Sequence, residues 1–154
     1  MVLIDMNDPV ILGFYGFSNS AKTRLITSLI KQLTDNDYKV ASVKQTTHSY
    51  SIDSPEKDTW KHAEAGAGIV TFQTGIETSF MVKEQLSIGK IKQIINCIDY
   101  FDVILVEGAR DKNIQKIRLD ETTPIRENTL FTFNGDVNKI ISIIEKQSIR
   151  REKQ

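Results

Sequence analysis

An α/β fold, with a mostly parallel sheet flanked by helices, is predicted by three features of the chain. The apolar run Val10–Tyr15 passes into a short loop and then a helix, and the loop nearly matches the phosphate-binding pattern G-x-x-x-x-G-K-[S/T]. A second strand follows within about 35 residues, which makes a βαβ unit whose strands must be parallel. Asp102–Val106 (Asp-Val-Ile-Leu-Val) carries a continuous apolar run, as expected of a central parallel strand buried on both faces.

The elements are predicted in order. Val10–Tyr15 is the first strand. Lys22–Leu33 spaces Leu25, Ile26, Leu29, Ile30 and Leu33 at helical intervals, and Asp35-Asn36-Asp37 is a stop and turn signal. Lys39–Lys44 is the second strand. Residues 45–58 have no periodic apolar face and read as a long polar loop, a length that inside a compact domain points to function or disorder. A helix is predicted over Asp58–Ala67, with Asp58 a candidate cap, followed by short strands at Ile69–Gln73 and Thr78–Val82 around Gly75. Ser87–Tyr100 repeats Ile88, Ile91, Ile94, Ile95 and Ile98 and reads as an amphipathic helix. Glu107-Gly108 terminates the strand 102–106. Ile117–Leu119 and Leu130–Phe133 are weaker strands, and Val137–Gln147 is a final helix with Asp136 as its cap.

The 154 residues suit a single domain, and 40% hydrophobic with 26% charged residues is ordinary for a soluble protein. Twenty basic residues balance 20 acidic ones, so nothing global points to nucleic acid or an anionic membrane. The mixed-sign Arg150-Arg151-Glu152-Lys153 reads as a solvated helix end. Met1–Asp8 has two acids and no basic run, and no apolar run approaches the ~18 residues of a membrane span, so a cytoplasmic protein is expected. Cys97 is the one cysteine, which excludes an intrachain disulfide and a cysteine metal cluster; its apolar surroundings predict a small core residue.

The chemistry lies in the loop. Backbone N–H groups turned toward phosphate oxygens need small residues, and the helix that follows offers further donors and a favourable dipole. Gly16, Ser18, Asn19, Ser20, Ala21, Lys22 and Thr23 are the candidate phosphate-binding set. Lys22 would reach the β- and γ-phosphates, and Thr23 would offer a hydroxyl to Mg²⁺, a cation that takes hard oxygen ligands. Ala21 stands where the pattern has its second glycine, at a cost if that position needs a left-handed backbone or a close approach. Asp53, in the polar loop, is a candidate carboxylate for the metal, or else a turn residue. Glu107 ends a buried strand at the sheet's carboxyl edge, where α/β folds bind ligands. Lys22, Asp53 and Glu107 form the candidate catalytic set; Thr23, Asp53 and Glu107 the candidate metal set. His48 and His62 have no ligand partner at fixed spacing, and Trp60 reads as packing.

The order Lys44-x-x-x-His48-x-x-x-x-Asp53-x-x-x-Lys57-Asp58, then Ala65-Gly66-Ala67, Glu107-Gly108 and Gln115-Lys116-Ile117 resembles the molybdopterin-guanine dinucleotide biosynthesis protein B (MobB) family over residues 9–120. Gln45, Glu56 and Trp60-Lys61 depart from the family's usual residues, as does Ala21. The resemblance implies a P-loop NTPase fold and a small homodimer that binds GTP and Mg²⁺. It also implies an accessory role in attaching the nucleotide of the molybdenum cofactor, beside a guanylyltransferase. In that light Lys22 and Thr23 contact phosphate and Mg²⁺, Asp53 is a switch-type acid and Glu107 the acid after the second buried strand. Asn138-Lys139 is followed by Ile141 where a guanine-reading Asn-Lys-x-Asp has aspartate, so guanine rests on the resemblance. Two other readings stay open: a non-hydrolysing adaptor whose degenerate loop holds a phosphate-bearing ligand for a partner enzyme, and an ATP-dependent small-molecule kinase.

Overall fold

The structure, a computed structural model, describes residues 8–17 and 19–152, without the side chains of 19, 20 and 149–152. In chain order its elements are β1 (Val10–Tyr15), α1 (Asn19–Asp35), β2 (Val40–Lys44), α2 (Asp58–Glu64), β3 (Ile69–Gln73) and β4 (Thr78–Val82). They continue with α3 (Ile88–Ile98), β5 (Val103–Glu107), β6 (Gln115–Arg118), β7 (Thr129–Thr132) and α4 (Val137–Glu152). Two compact units result: one from the chain up to Thr46 and from Ile91 onward, the other from Thr47–Lys90.

The first unit holds a five-stranded sheet in the order β2-β5-β1-β6-β7, every neighbouring pair parallel. Alternation along β1 sends Val10, Leu12 and Phe14 to one face, level with Val103 and Leu105 of β5 and Ile117 of β6. On that face they meet Leu25, Ile26, Leu29 and Leu33 of α1 and Ile140 and Ile144 of α4. Those of α1 are the apolar positions whose spacing predicts that helix. Leu29 is fully buried, a transfer from water that contributes roughly 2 kcal/mol. α1 stops at the expected signal: Asp37 takes a left-handed φ of 64°, and Tyr38 N–H returns to Leu33 O at 3.1 Å, a Schellman-type ending.

From β1 the chain crosses one way to β2, and from β5 it crosses the other way over β1 to β6. The carboxyl end of β1 is therefore the point where strand order reverses, the usual crevice for a ligand in an open α/β sheet.

In the second unit β3 and β4 pair antiparallel as a hairpin, with Ile69 opposite Val82. Its turn is fastened by Thr74 N–H to Glu77 O at 2.9 Å. α2 is shorter than predicted, ending at Glu64, and its N-cap is Lys57 rather than Asp58. Asp58 sits inside the first turn, paired with Lys61 at 2.9 Å, where a carboxylate suits the helix dipole.

Cys97 is exposed, against expectation. Along α3 the inward positions are Ile88, Ile91 and Ile95. Cys97 lies two residues beyond Ile95, about 200° round the helix, and so faces away from them. Among the described residues no helix is long and apolar enough to cross a membrane.

Candidate functional site

Strand ends at the carboxyl edge of the parallel sheet bring the site together. Phe14 O accepts from Gly108 N at 2.8 Å and Ala109 N at 3.1 Å, and Gln45 N donates to Glu107 O at 2.8 Å, so the turns after β1, β2 and β5 are tied at one level. α1 begins at Asn19, three residues ahead of the predicted start. The sequence Asn19-Ser20-Ala21 carries no apolar periodicity, so the periodic pattern alone places the start too late. Gly16 and Phe17 follow β1, and the first helical turn is made by Asn19, Ser20, Ala21 and Lys22. Ser18 lies outside the described residues.

The helical start removes one of the two costs expected of Ala21, the left-handed backbone. Ala21 has right-handed backbone in the first turn of α1; among the described non-glycine residues only Asp37 and Asn128 have positive φ. No left-handed penalty falls on it. Ala21→Gly is therefore expected to lower stability by about 0.5–1 kcal/mol through helix propensity. It should leave nucleotide affinity within about threefold, a shift of under ~0.7 kcal/mol. Thermal melting and calorimetric titration check the two halves.

Lys22 folds back over the loop, with Nζ donating to Gly16 O at 2.5 Å. The side chain is buried, and burial is the main influence that lowers its pKa below the ordinary lysine value. Glu107 and Asp120 oppose that shift, whereas the cations Arg126 and Lys44 add to it. Thr23 Oγ1 donates to the Glu107 carboxylate at 3.1 and 3.3 Å. Glu107 ends β5 and is buried, and Lys44, at the end of β2, stands 3.8 Å from it. Gly16, Lys22, Thr23 and Glu107 are thus assembled in one place from β1, α1 and β5. A hydroxyl beside a buried carboxylate is a pair of hard oxygen donors, the donor chemistry that Mg²⁺ takes. Among the described residues no group of three or more His, Cys, Asp or Glu side chains is arranged to hold a metal.

Asp53 belongs to the second unit. Its Oδ1 accepts from Ser54 N at 3.0 Å and from Thr59 Oγ1 at 3.0 Å, which braces the turn ahead of α2. Its Oδ2 is buried with no hydrogen-bond partner among the described residues. His48 and His62 are exposed, and Trp60 is half-buried. Asn138 and Lys139 are exposed positions of α4, with the Lys139 ammonium 3.9 Å from the Phe131 ring centroid.

Three residues at the site escaped the motif search. Asp120, after β6, accepts from Phe17 N at 2.9 Å. Arg126 donates to Ala109 O at 2.6 Å and lies 4.5 Å over the Tyr15 ring. Tyr15 in turn accepts from Arg126 N at 3.0 Å. The string Asp120-Glu-Thr-Thr-Pro does carry a turn signal, an aspartate bonding to backbone and hydroxyls just ahead, but nothing local ties it to Phe17.

The family model of molybdopterin guanine dinucleotide synthesis protein B matches residues 11–146. Similar proteins include a molybdopterin-guanine dinucleotide biosynthesis adapter protein of Haemophilus influenzae, 30% identical over 81% of this chain and 73% of its own length. The Escherichia coli protein of the same name is 31% identical over 71% of this chain and 64% of its own. A Methanocaldococcus jannaschii protein, described as a putative adapter of this kind, is 25% identical over 90% of this chain. The chain spans a little under two thirds of the last two relatives, 64% and 62% of their lengths. The crystal structure of Bacillus subtilis MobB superposes with a TM-score of 0.63 at 15% identity, covering 87% of this chain and 96% of that one. A crystal structure of another molybdopterin-guanine biosynthesis protein B gives 0.62 at 20% identity, covering 90% and 99%. At those identities the structures show the shared P-loop NTPase-like fold. Taken with the match over residues 11–146, they place the chain in the molybdopterin guanine dinucleotide synthesis protein B family.

Proposed function

We propose that this protein is an adapter in molybdopterin guanine dinucleotide biosynthesis that binds GTP with Mg²⁺ and is at most a weak GTPase. One observation carries the reading: Lys22 on Gly16 O and Thr23 on Glu107 stand side by side at the carboxyl ends of β1 and β5. That arrangement offers one buried cation for phosphate and two hard oxygen donors for a divalent ion. Mg²⁺ bound there would offset charge on the terminal phosphates. The chain's own groups bind and orient: the first turn of α1 directs N–H groups toward an anion, Lys22 supplies charge, and Glu107 holds the Thr23 hydroxyl. Phosphoryl transfer needs mainly positioning and charge stabilisation. Family membership supports the pathway, a homodimer, and a guanylyltransferase with its molybdenum cofactor as partners.

The test is calorimetric titration of Mg-GTP, Mg-ATP and GDP, with a GTPase assay and the solution mass from sedimentation. Micromolar Mg-GTP binding that exceeds Mg-ATP is expected, at twice the chain mass. Binding no tighter than millimolar for every nucleotide rejects the reading. A clear preference for ATP rejects guanine and favours the kinase alternative. A second reading, the non-hydrolysing adaptor, is favoured by the absence of an Asn-Lys-x-Asp base reader at Asn138; tight binding with no phosphate release would select it.

Glu107→Gln keeps the shape and removes the charge. Because carboxylate charge holds the divalent ion, nucleotide affinity in EDTA should stay nearly unchanged. The gain that Mg²⁺ brings should fall by roughly tenfold, about 1.4 kcal/mol. Titrations with and without Mg²⁺ measure the difference; an equal Mg²⁺ gain in both proteins removes Glu107 from the metal set.

A further inference from the structure

We infer that Asp120 is a positioning residue for Lys22, acting through the single peptide group that joins Gly16 to Phe17. The carbonyl of that peptide accepts from Lys22 Nζ at 2.5 Å. Its N–H, on the opposite edge of the same plane, donates to Asp120 Oδ2 at 2.9 Å. A trans peptide is rigid, so fixing the N–H fixes the direction of the carbonyl. With Asp120 in place, the Gly16 oxygen is presented to the ammonium; without it, the N–H edge of the plane loses its clasp and the direction of the carbonyl is less fixed.

Asp120 is itself well held. Its Oδ1 accepts from Thr122 N at 3.1 Å, Thr122 Oγ1 at 2.7 Å, Thr123 N at 2.7 Å and Thr123 Oγ1 at 2.9 Å. The same Thr123 hydroxyl is 2.8 Å from Oδ2, so its one proton is shared between the two carboxylate oxygens. Hydrogen bonds to the charged form, from Thr122 first and then Phe17 N–H, depress its pKa well below the carboxylate range, so the clasp is ionised at any working pH. The turn is pinned in its turn to the sheet: Arg118 reaches Thr123 O at 3.1 Å and Thr132 Oγ1 at 2.8 Å, and Leu119 N donates to Tyr15 O at 2.9 Å. Arg126, further along the same connection, holds Ala109 O beyond the Glu107 turn. One connection between β6 and β7 thereby grips both the phosphate loop and the turn that follows the acid.

The clasp also explains Gly16. A Cβ there would lie 2.6 Å from Asp120 Oδ2 and 3.2 Å from Leu119 Cβ. The first glycine of the motif is needed in this chain because the carboxylate occupies the space a side chain would take. Gly16 and Asp120 are therefore energetically coupled, and coupled sites give non-additive mutants.

The inference rests on the nucleotide reading for its effect on binding, but not for its geometry. The decisive experiment follows three variants, Asp120→Ala, Asp120→Asn and Gly16→Ala, with the last made in both the native and the Asp120→Ala background. Phe17 amide exchange is read by NMR without ligand, stability by thermal melting, and Mg-GTP and inorganic triphosphate affinity by calorimetry. Asp120→Ala should speed Phe17 exchange and weaken both ligands by about tenfold, while Asp120→Asn, which keeps an acceptor oxygen, should recover to within roughly threefold. Gly16→Ala should lower the melting temperature by several degrees in the native background, on the order of 2–4 °C per kcal/mol, and by distinctly less without the carboxylate. Unchanged Phe17 exchange, or an equal Gly16→Ala penalty in the two backgrounds, overturns the clasp. If the native protein binds neither ligand, the nucleotide reading fails, and exchange and melting still decide Asp120. If ligands bind and Asp120→Ala binds them as well, the nucleotide reading stands and the positioning role falls.

Discussion

Lys22→Ala is expected to weaken Mg-GTP binding by roughly 100-fold, the largest binding effect of any single side chain here. A hydrogen bond from a charged donor contributes about 1.5–3 kcal/mol, and each 1.4 kcal/mol is tenfold in affinity. Lys22 belongs at the upper end because it is 5% exposed, so its charge acts where water screens it little. The fold should survive, since Nζ bonds the Gly16 carbonyl at the mouth of the loop. Lys22→Arg is not expected to rescue, as a planar guanidinium does not fit a site built for a compact ammonium.

The same residue sets a pH dependence. Burial above all lowers the Lys22 pKa, with Glu107 and Asp120 holding it partly up. Phosphate binding needs the protonated form. Affinity should therefore be flat on the acid side and decline on the alkaline side, beginning at a lower pH than a free lysine would give. Titrations across pH, with circular dichroism as a control for folding, check both points. An affinity change under about twofold in Lys22→Ala, below ~0.4 kcal/mol, would mean that the lysine does not meet phosphate.

Gly108→Ala is expected to cost the most stability. Gly108 has a φ of +78°, and a Cβ there would stand 2.4 Å from the Gln45 carbonyl oxygen. The left-handed backbone alone penalises alanine by about 1–2 kcal/mol, and relieving an overpacked contact adds typically 1–3. The neighbour cannot swing aside, because it is backbone: Gln45 N is bonded to Glu107 O and Gly108 N to Phe14 O. A loss of about 3 kcal/mol lowers the melting temperature by roughly 6–12 °C for a chain of this size. Relief would push the end of β2 away from Glu107, so the Mg²⁺ dependence of binding should weaken as well. Gly75→Ala is the control: nothing lies within 4 Å of a Cβ there, and its change should stay within about 0.5 kcal/mol. Equal melting temperatures for Gly108→Ala and Gly75→Ala would refute the account of the β5 turn.

Much of this was readable beforehand, for reasons that differ by element. β1 and β5 were legible because central parallel strands are apolar on both faces. α1 was legible because Leu25, Ile26, Leu29 and Leu33 fall at its period, yet its first three residues were not, since a helix start that binds no core leaves no periodic mark. β6 (Gln115–Arg118) starts two residues before the predicted Ile117–Leu119, because it carries a buried Lys116 whose ammonium bonds Ile114 O and Glu127 O, a polarity that hides the strand's start. Asp58 was taken for a cap because its residue type suits one, whereas the backbone places Lys57 there. Cys97 was misread because an apolar neighbourhood in sequence spans every face of a helix.

The sequence by itself determined the parallel α/β plan, the loop between β1 and α1 and the candidates Lys22, Thr23 and Glu107, because each of these rests on a local pattern: a period, or a motif that feeds a helix. Only the tertiary structure decided which groups meet. Thr23 and Glu107 are 84 residues apart and Phe17 and Asp120 are 103 apart, yet each pair is within hydrogen-bond distance. It also decided that Ala21 carries no left-handed strain, since backbone conformation at one residue follows from where the helix starts. No local propensity encodes such pairings; they follow from parallel strands laid side by side, which bring the ends of distant segments to the same edge of the sheet.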